Sequence, residues 1–187
     1  MKSYPYILIM SGIIGILTSF LLVLDKIELL KNPNLELPCN INPLISCGPV
    51  INTWQASVFF GIPNPMFGII GFSIVLTIGL LTLFNASPNQ KFWKLFIIGI
   101  SLATLFTHWL IFQSVFQIGA LCLYCMITWA VVWPLFFFTI IKNIKEKTTP
   151  LSKFENFLIT NTYQLFSSWY VAIILLILFK FRDFFFS

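Results

Sequence analysis

The chain alternates long apolar runs with short polar punctuation. Four runs stand out: Pro5 to Leu24, Pro65 to Phe84, Phe92 to Phe112 and Leu121 to Ile141. Each holds roughly 20 residues, and at about 1.5 Å of rise per helical residue that is the length needed to cross a hydrocarbon core about 30 Å thick. A fifth run, Leu165 to about Phe179, is shorter, and the flanking Tyr163 and Phe181 extend it. The pattern predicts an all-α membrane protein, a four-helix transmembrane bundle plus a fifth transmembrane helix.

The polar stretches divide the chain into three parts. Residues 1–141 form the expected four-helix core, whose outer loop runs over 25–64; residues 142–162 form a basic loop, and residues 163–187 the fifth helix with a short tail. The first loop is about 40 residues long, and loops of that length in compact proteins usually carry function. Its second half, Trp54 to Pro63, is too apolar for a solvated loop and too short to span, so an interfacial helix across the bundle mouth is expected there. Asn64 followed by Pro65 reads as a helix start, with Asn as the cap and Pro at the first helical position.

Composition agrees with the pattern. With 58% hydrophobic and 9% charged residues, a 187-residue chain has too little polar surface to coat a soluble globule. The net charge of +5 does not point to nucleic acid, because the basic residues are scattered between apolar runs and form no stripe. Topology accounts for them instead. Lys2 precedes the first run, Lys91 and Lys94 lie where the second run gives way to the third, and Lys142, Lys145, Lys147 and Lys153 lie between the fourth and fifth. Segments rich in Lys and Arg stay in the cytoplasm, so the N-terminus is expected inside. The first loop carries Asp25, Glu28 and Glu36 against Lys26 and Lys31, which suits the outer face. The first run exceeds the usual h-region of a signal peptide and is followed by no small-residue cleavage pattern, so a retained helix is expected. Lys180 and Arg182 fall on the outer side and count mildly against five spans.

Four cysteines carry the candidate chemistry, and on this topology all of them reach the outer face or its membrane edge. Cys122 and Cys125 form a Cys-Leu-Tyr-Cys motif where the fourth span begins. Residues three apart share one face of a helix, and the partial positive charge at a helix N-terminus stabilises a thiolate. A static disulfide is the bland reading, but so small a loop restrains the unfolded chain little. A zinc site is a third reading, and it needs Cys39 and Cys47 folded down permanently as further ligands. Cys39 and Cys47 lie eight positions apart in the outer loop, among Asn42, Pro43 and Gly48. Such a pair is equally an ordinary stabilising disulfide of an oxidising compartment.

Taken together, these residues resemble the vitamin K epoxide reductase family, including its bacterial disulfide-forming members. The resemblance rests on Cys39 and Cys47 at the family's loop spacing, Ser46 beside Cys47, Thr53 six positions later, Asn64 with Phe67-Gly68 opening the second span, and Cys122-Leu-Tyr-Cys125 opening the fourth. It covers Pro5 to Ile141. It implies that Cys39 takes electrons from a thioredoxin-like, DsbA-like protein, that Cys47 attacks Cys122, and that Cys125 faces a membrane quinone of the ubiquinone or menaquinone type. Thr53 and Asn64 match family positions near the quinone, and Phe59, Phe60, Phe67 and Trp129 are placed to line its pocket. No metal is implied. In vertebrate members a tyrosine stands where this chain has Trp129, which lacks a hydroxyl, so epoxide reduction is not expected. Many bacterial members carry a fused thioredoxin-like domain; here the sequence stops at Ser187, so a separate partner protein is expected. The resemblance implies an integral protein of a bacterial inner membrane that oxidises its partner and supports disulfide formation.

Two rivals make different demands. A DsbB-type quinone reductase places its CxxC in the first outer loop, whereas here it opens the fourth span. A metal-binding membrane carrier using the CxxC calls for a set of further intramembrane Cys, His or carboxylate ligands, of which the runs hold only the single His108. His108, the one histidine, lies inside the third run; it reads as a hydrogen-bonding partner for a neighbouring helix before it reads as a proton relay.

Overall fold

The computed structural model describes residues 3–86, 89–146 and 150–185. Lys2, Lys147 and Ser187, invoked above, lie outside the described residues. In chain order the helices are α1 (Tyr4–Lys31), α2 (Cys47–Ile51), α3 (Asn64–Leu83), α4 (Gln90–Phe112), α5 (Leu123–Lys145), α6 (Lys153–Thr160), α7 (Thr162–Lys180) and a last turn α8 (Arg182–Phe185). Five of them are long and apolar enough to cross a membrane, with α4 prolonged to Ile118 by a π-helical turn. The fold is therefore the helical membrane bundle that the hydropathy pattern predicts.

Three boundaries differ from that pattern. α1 does not stop at Leu24 but runs through Asp25 and Glu28 to Lys31. The charges mark where lipid ends, yet Asp, Lys, Glu and Leu all tolerate a helix, and Leu22 and Leu29 stay buried on one face. The expected interfacial helix is a single 3₁₀ turn, Trp54–Ser57. The chain then reverses with Phe60 at φ 54 and Gly61 at φ 76, left-handed values in a tight turn closed by Ile62 N donating to Phe59 O. Asn64 does not cap α3, since its side chain turns back to accept from Val58 N at 3.1 Å and donate to Gln55 O at 2.7 Å. Within the basic loop, α5 continues to Lys145, and α6 begins with a capping box formed by Ser152 and Glu155.

Packing centres on α1, which lies between α3 and α5. Glycines let α1 and α3 approach closely: a Cβ on Gly12 would sit 2.9 Å from the Leu76 backbone, and one on Gly79 3.0 Å from Ile9 N. In lipid, where apolar surface gains little by leaving the solvent, such small-residue seams supply much of the association energy through close packing. The core at this level joins Tyr4, Leu8, Phe72, Val75, Phe96, Ile100 and Leu135. Tyr4 and Thr139 hydroxyls meet at 2.9 Å, and Lys142 lies over the Trp93 ring at 4.0 Å, so the start of α1, the start of α4 and the end of α5 share one end of the bundle.

α7 packs against α5 through aromatic groups. Trp133 stacks on Trp169 at 5.1 Å and donates to Phe166 O, while Tyr170 donates to Ala130 O at 2.8 Å. His108 joins this ladder. Its Nδ1 lies 2.8 Å from Thr104 O, and since a carbonyl only accepts, Nδ1 carries the proton and Nε2 accepts from Trp169 Nε1 at 2.8 Å. At the far end Lys180 reaches the Phe116 ring, so α7 runs antiparallel to α5 and finishes at the end of the bundle where α4 finishes.

Gly12→Val should lower stability by about 1–3 kcal/mol, because the helices must separate to admit the side chain. Gly99→Ala, where a Cβ meets nothing within 4 Å, should not. Thermal unfolding in detergent compares the two, and equal melting temperatures would contradict a close α1–α3 seam.

A candidate redox site of two cysteine pairs

Short polar side chains fold the outer loop. Asn42 Oδ1 accepts from Leu44 N at 3.0 Å and Ile45 N at 2.7 Å, turning the chain after Ile41. Asn40 Oδ1 gathers Ser46 Oγ, Cys47 N and Gly48 N at 2.9, 3.0 and 3.2 Å, and so supplies the first turn of α2 with an acceptor. At the other end of α2, Lys26 reaches from α1 to Ile51 O at 3.1 Å, where a cation suits the helix C-terminus. The decisive link is a one-residue bridge between Ile45 and Leu121: Ser46 N donates to Leu121 O at 2.9 Å, and Leu121 N to Leu44 O at 2.8 Å. Cys47 and Cys122 each follow this bridge by one or two residues.

The bridge sets two sulfurs side by side. Cys39 and Cys47 form a disulfide, while Cys122 and Cys125 are free thiols. Cys122 Sγ lies 3.4 Å from Cys47 Sγ, although the residues are 75 apart in sequence. This is the contact from which thiol–disulfide exchange starts. Cys39, Cys47 and Cys122 are all buried, at 1%, 0% and 0% exposure, so the expected partner-facing sulfur is covered in this state.

Cys122 caps α5, its sulfur accepting from Cys125 N at 3.4 Å just outside the spanning helix Leu123–Lys145. Hydrogen bonding from the Cys125 thiol, joined by the Cys125 and Tyr124 backbone N–H groups, lowers the Cys122 thiol below its ordinary range; burial and the charge of Asp25 work against this. A lowered thiol holds more thiolate, the form that attacks a disulfide. Asp25 is the nearest carboxylate, its Oδ2 3.4 Å from Cys39 Sγ. Asp25, Cys39 and Cys47 offer three ligand-type atoms within 4.8 Å of one another, but the disulfide leaves neither sulfur a thiolate with which to hold a metal.

On the other side of Cys125 opens a cavity of about 740 Å³. Cys125, Thr53, Asn64, Phe59, Phe67 and Trp129 border it, and Cys122 does not. Phe59 and Phe67 meet edge to face at 5.3 Å. Phe60, expected in this lining, is instead 99% exposed, because the left-handed turn at Phe60 and Gly61 carries its ring away from the bundle. His108 lies outside the lining, which takes Thr107 from the same helix. The volume and the mostly apolar walls suit a drug-sized lipophilic ligand. α3 and α4 flank the cavity without packing along each other, since α3 lies on α1 and α4 on α5.

Sequence reasoning missed four polar residues of this site. Asp25 looked like a membrane boundary, and Asn40 was overshadowed by its neighbour Cys39. Gln55 and Gln113, paired across the cavity at 3.4 Å, carry no spacing signal because they belong to different elements. Of the four, only Asn40 had a readable cue: an Asn beside a loop cysteine, poised to accept from the backbone ahead of it.

Compared with known protein families, residues 6–140 match the vitamin K epoxide reductase family. The match spans well over half of the 187 residues, and the chain belongs to this family. No curated protein matches the chain in a direct sequence comparison. Membership implies thiol–quinone oxidoreductase chemistry in an integral membrane protein, and the Cys39–Cys47 disulfide fits redox-active cysteines.

Cys125→Ala removes the largest influence holding the Cys122 thiol down. The Cys122 titration should therefore move to higher pH, with less thiolate at any given pH, as read from ultraviolet thiolate absorbance. A titration that stays in place would show that the helix end alone sets the thiolate.

Proposed function

We propose that the chain, as a member of the vitamin K epoxide reductase family, is a thiol:quinone oxidoreductase that oxidises a separate thioredoxin-like protein and so supports disulfide formation. One observation carries this reading: Cys122 Sγ touches Cys47 Sγ at 3.4 Å on one side, while Cys125 borders a lipophilic cavity on the other. The sulfurs thus form a continuous path from the outer loop to a ligand-sized space.

In the proposed cycle a partner thiolate attacks Cys39, Cys47 leaves, and the second partner thiol releases Cys39; the partner gains a disulfide and the loop pair two thiols. Cys47 then attacks Cys122 of an oxidised inner pair, freeing Cys125. Cys39 next attacks Cys47, restoring the loop disulfide and freeing Cys122. The state observed, with the loop pair oxidised and the inner pair reduced, is the product of this last step. A quinone bound beside Cys125 supplies the sink for two electrons and two protons.

The cavity walls offer suitable polar atoms. Thr53 Oγ1 spends its proton on Val50 O at 2.8 Å, which leaves a lone pair able to accept from a quinol hydroxyl. Asn64 commits one N–H to Gln55 O and keeps the other for a quinone oxygen. Phe59, Phe67 and Trp129 provide flat apolar contact. The gap between α3 and α4 offers a lateral entry from lipid.

The topology proposed has the N-terminus in the cytoplasm of a bacterial cell and the cysteines on the outer face of the inner membrane. It rests on the lysines at the opposite end of the bundle, with Lys142 over Trp93 beside Tyr4. Residues 1–141 act as the catalytic core, and residues 163–187 as a supporting helix joined to it by the cytoplasmic segment 142–162. Because Cys39 is buried in a cluster with Leu22, Leu29 and Leu37, the loop must open for the partner to reach it.

Purified protein should reduce a soluble quinone analogue when given a reduced thioredoxin-like protein, and Cys125→Ala should fall to the uncatalysed background; undiminished turnover in that variant would refute the assignment. Given the oxidised form of the thioredoxin-like protein, whose disulfide the free Cys39 thiolate attacks, Cys47→Ala should trap a mixed disulfide between Cys39 and the partner, visible on a non-reducing gel. Thr53→Val should weaken quinol binding about three- to tenfold, the equivalent of one hydrogen bond worth about 1 kcal/mol, as read from product inhibition.

A further inference from the structure

The redox cycle above leaves one buried ionisable group without a task. Asp25 stands on α1 at 8% exposure, where a carboxylate without a partner is costly. Among the described residues it has no ion-pair partner, and the adjacent Lys26 points away to Ile51 O and Asn52 Oδ1. Among those residues its side chain has one polar contact, Cys39 Sγ at 3.4 Å. In the disulfide that sulfur has no hydrogen to donate, so the contact becomes a hydrogen bond only when Cys39 is a thiol or when Asp25 carries a proton. The pair is therefore built for a proton that comes and goes with the state of Cys39.

We propose that Asp25 is the proton acceptor for Cys39, taking its thiol proton as Cys39 attacks Cys47 to close the loop disulfide and release Cys122, and returning it whenever Cys39 leaves. The proposal rests on the redox reading above. In the closing step the Cys39 S–H bond breaks and the proton passes to Asp25 Oδ2. A Cys39–Cys47 bond forms, the Cys47–Cys122 bond breaks, and Cys122 departs as a thiolate held by the N-terminus of α5. Over the two exchange steps the loop pair gives up two electrons, one to Cys125 when it is freed and one to Cys122 here, and no outside oxidant enters.

Charge favours this arrangement. An ionised Asp25 beside a Cys39 thiolate would set two negative charges 3.4 Å apart in a buried site, whereas passing the proton between them keeps one. The other groups facing Asp25 do not replace it. Glu28 on α1 adds negative charge, and Cys122 and Tyr124 at the start of α5 feel the Asp25 charge without bonding to it. Cys47 in the loop is the sulfur under attack, and Lys26 is engaged on α2.

At pH 7 an ordinary thiol with a pKa of about 8.5 is only about 3% thiolate, so a base beside Cys39 can accelerate its attack by up to about thirtyfold, and by progressively less as pH rises. The test follows one turnover. Fully reduced protein is mixed with a short-chain ubiquinone, quenched in acid at intervals and alkylated, and each disulfide is counted by peptide mass spectrometry. In Asp25→Asn the Cys47–Cys122 species should accumulate and decay about tenfold more slowly than in the unaltered protein at pH 7. The gap should close toward pH 9, and Asp25→Glu should recover part of the rate. Equal decay of that species in Asp25→Asn at every pH would overturn the proposal. If ubiquinone forms no disulfide in the unaltered protein, the quinone reading fails instead; diamide then supplies the oxidation, and the same decay still judges Asp25. A fold defect in Asp25→Asn would slow the reaction equally at all pH values, which also counts against a proton-transfer role.

Discussion

Two backbone hydrogen bonds between the Leu44–Ser46 stretch and Leu121 fix the geometry on which everything else rests. Without them the outer loop is a tethered segment free to sample many positions, and its sulfurs meet the inner pair only occasionally. With them, Cys47 and Cys122 begin their respective helices from one shared bridge and lie 3.4 Å apart. Such preorganisation converts an encounter into a local step and removes most of its entropic cost. The asparagines and Lys26 serve the same end, since each satisfies a backbone group that would otherwise pull α2 out of place.

The membrane architecture was readable because the bilayer imposes a length and a composition that few soluble elements share. All five spans follow from it. Their ends do not, because charged residues mark the edge of lipid while a helix ends only where its backbone finds other partners, as α1 demonstrates by running on to Lys31. The cysteines announced themselves by number and spacing. Their surroundings did not, since Asp25 stands 14 residues before Cys39, and only the fold of the intervening loop makes them neighbours. Phe60 illustrates the converse: residue type marked it as a pocket aromatic, but the handedness of a single turn sends its ring outward. Asn64 carried the signature of a helix cap and instead ties the 3₁₀ turn to α3.

The two sides of the inner pair differ in kind. Cys122 sits in a compact cluster with Leu22, Leu29, Leu37 and Ile51, all of it buried. Cys125, one helical turn on, borders open space among aromatic rings. One CxxC thereby faces packed polypeptide on one side and a lipophilic cavity on the other, the arrangement on which the proposed relay depends. α7 contributes no residue to the cavity lining. It leans on α5 through Trp133, Trp169 and His108, and Ile173, Leu176 and Ile177 pack against the cluster of Leu44, Leu121 and Trp129 behind the site.

The near-complete burial of the loop disulfide has a consequence for the surroundings of the protein. Small free thiols in the compartment have no direct route to Cys39 or Cys47, so they are kept from draining the oxidising power stored there. Reduction of the loop pair has to wait for the cluster around it to open, so the fold acts as electrical insulation around a live contact.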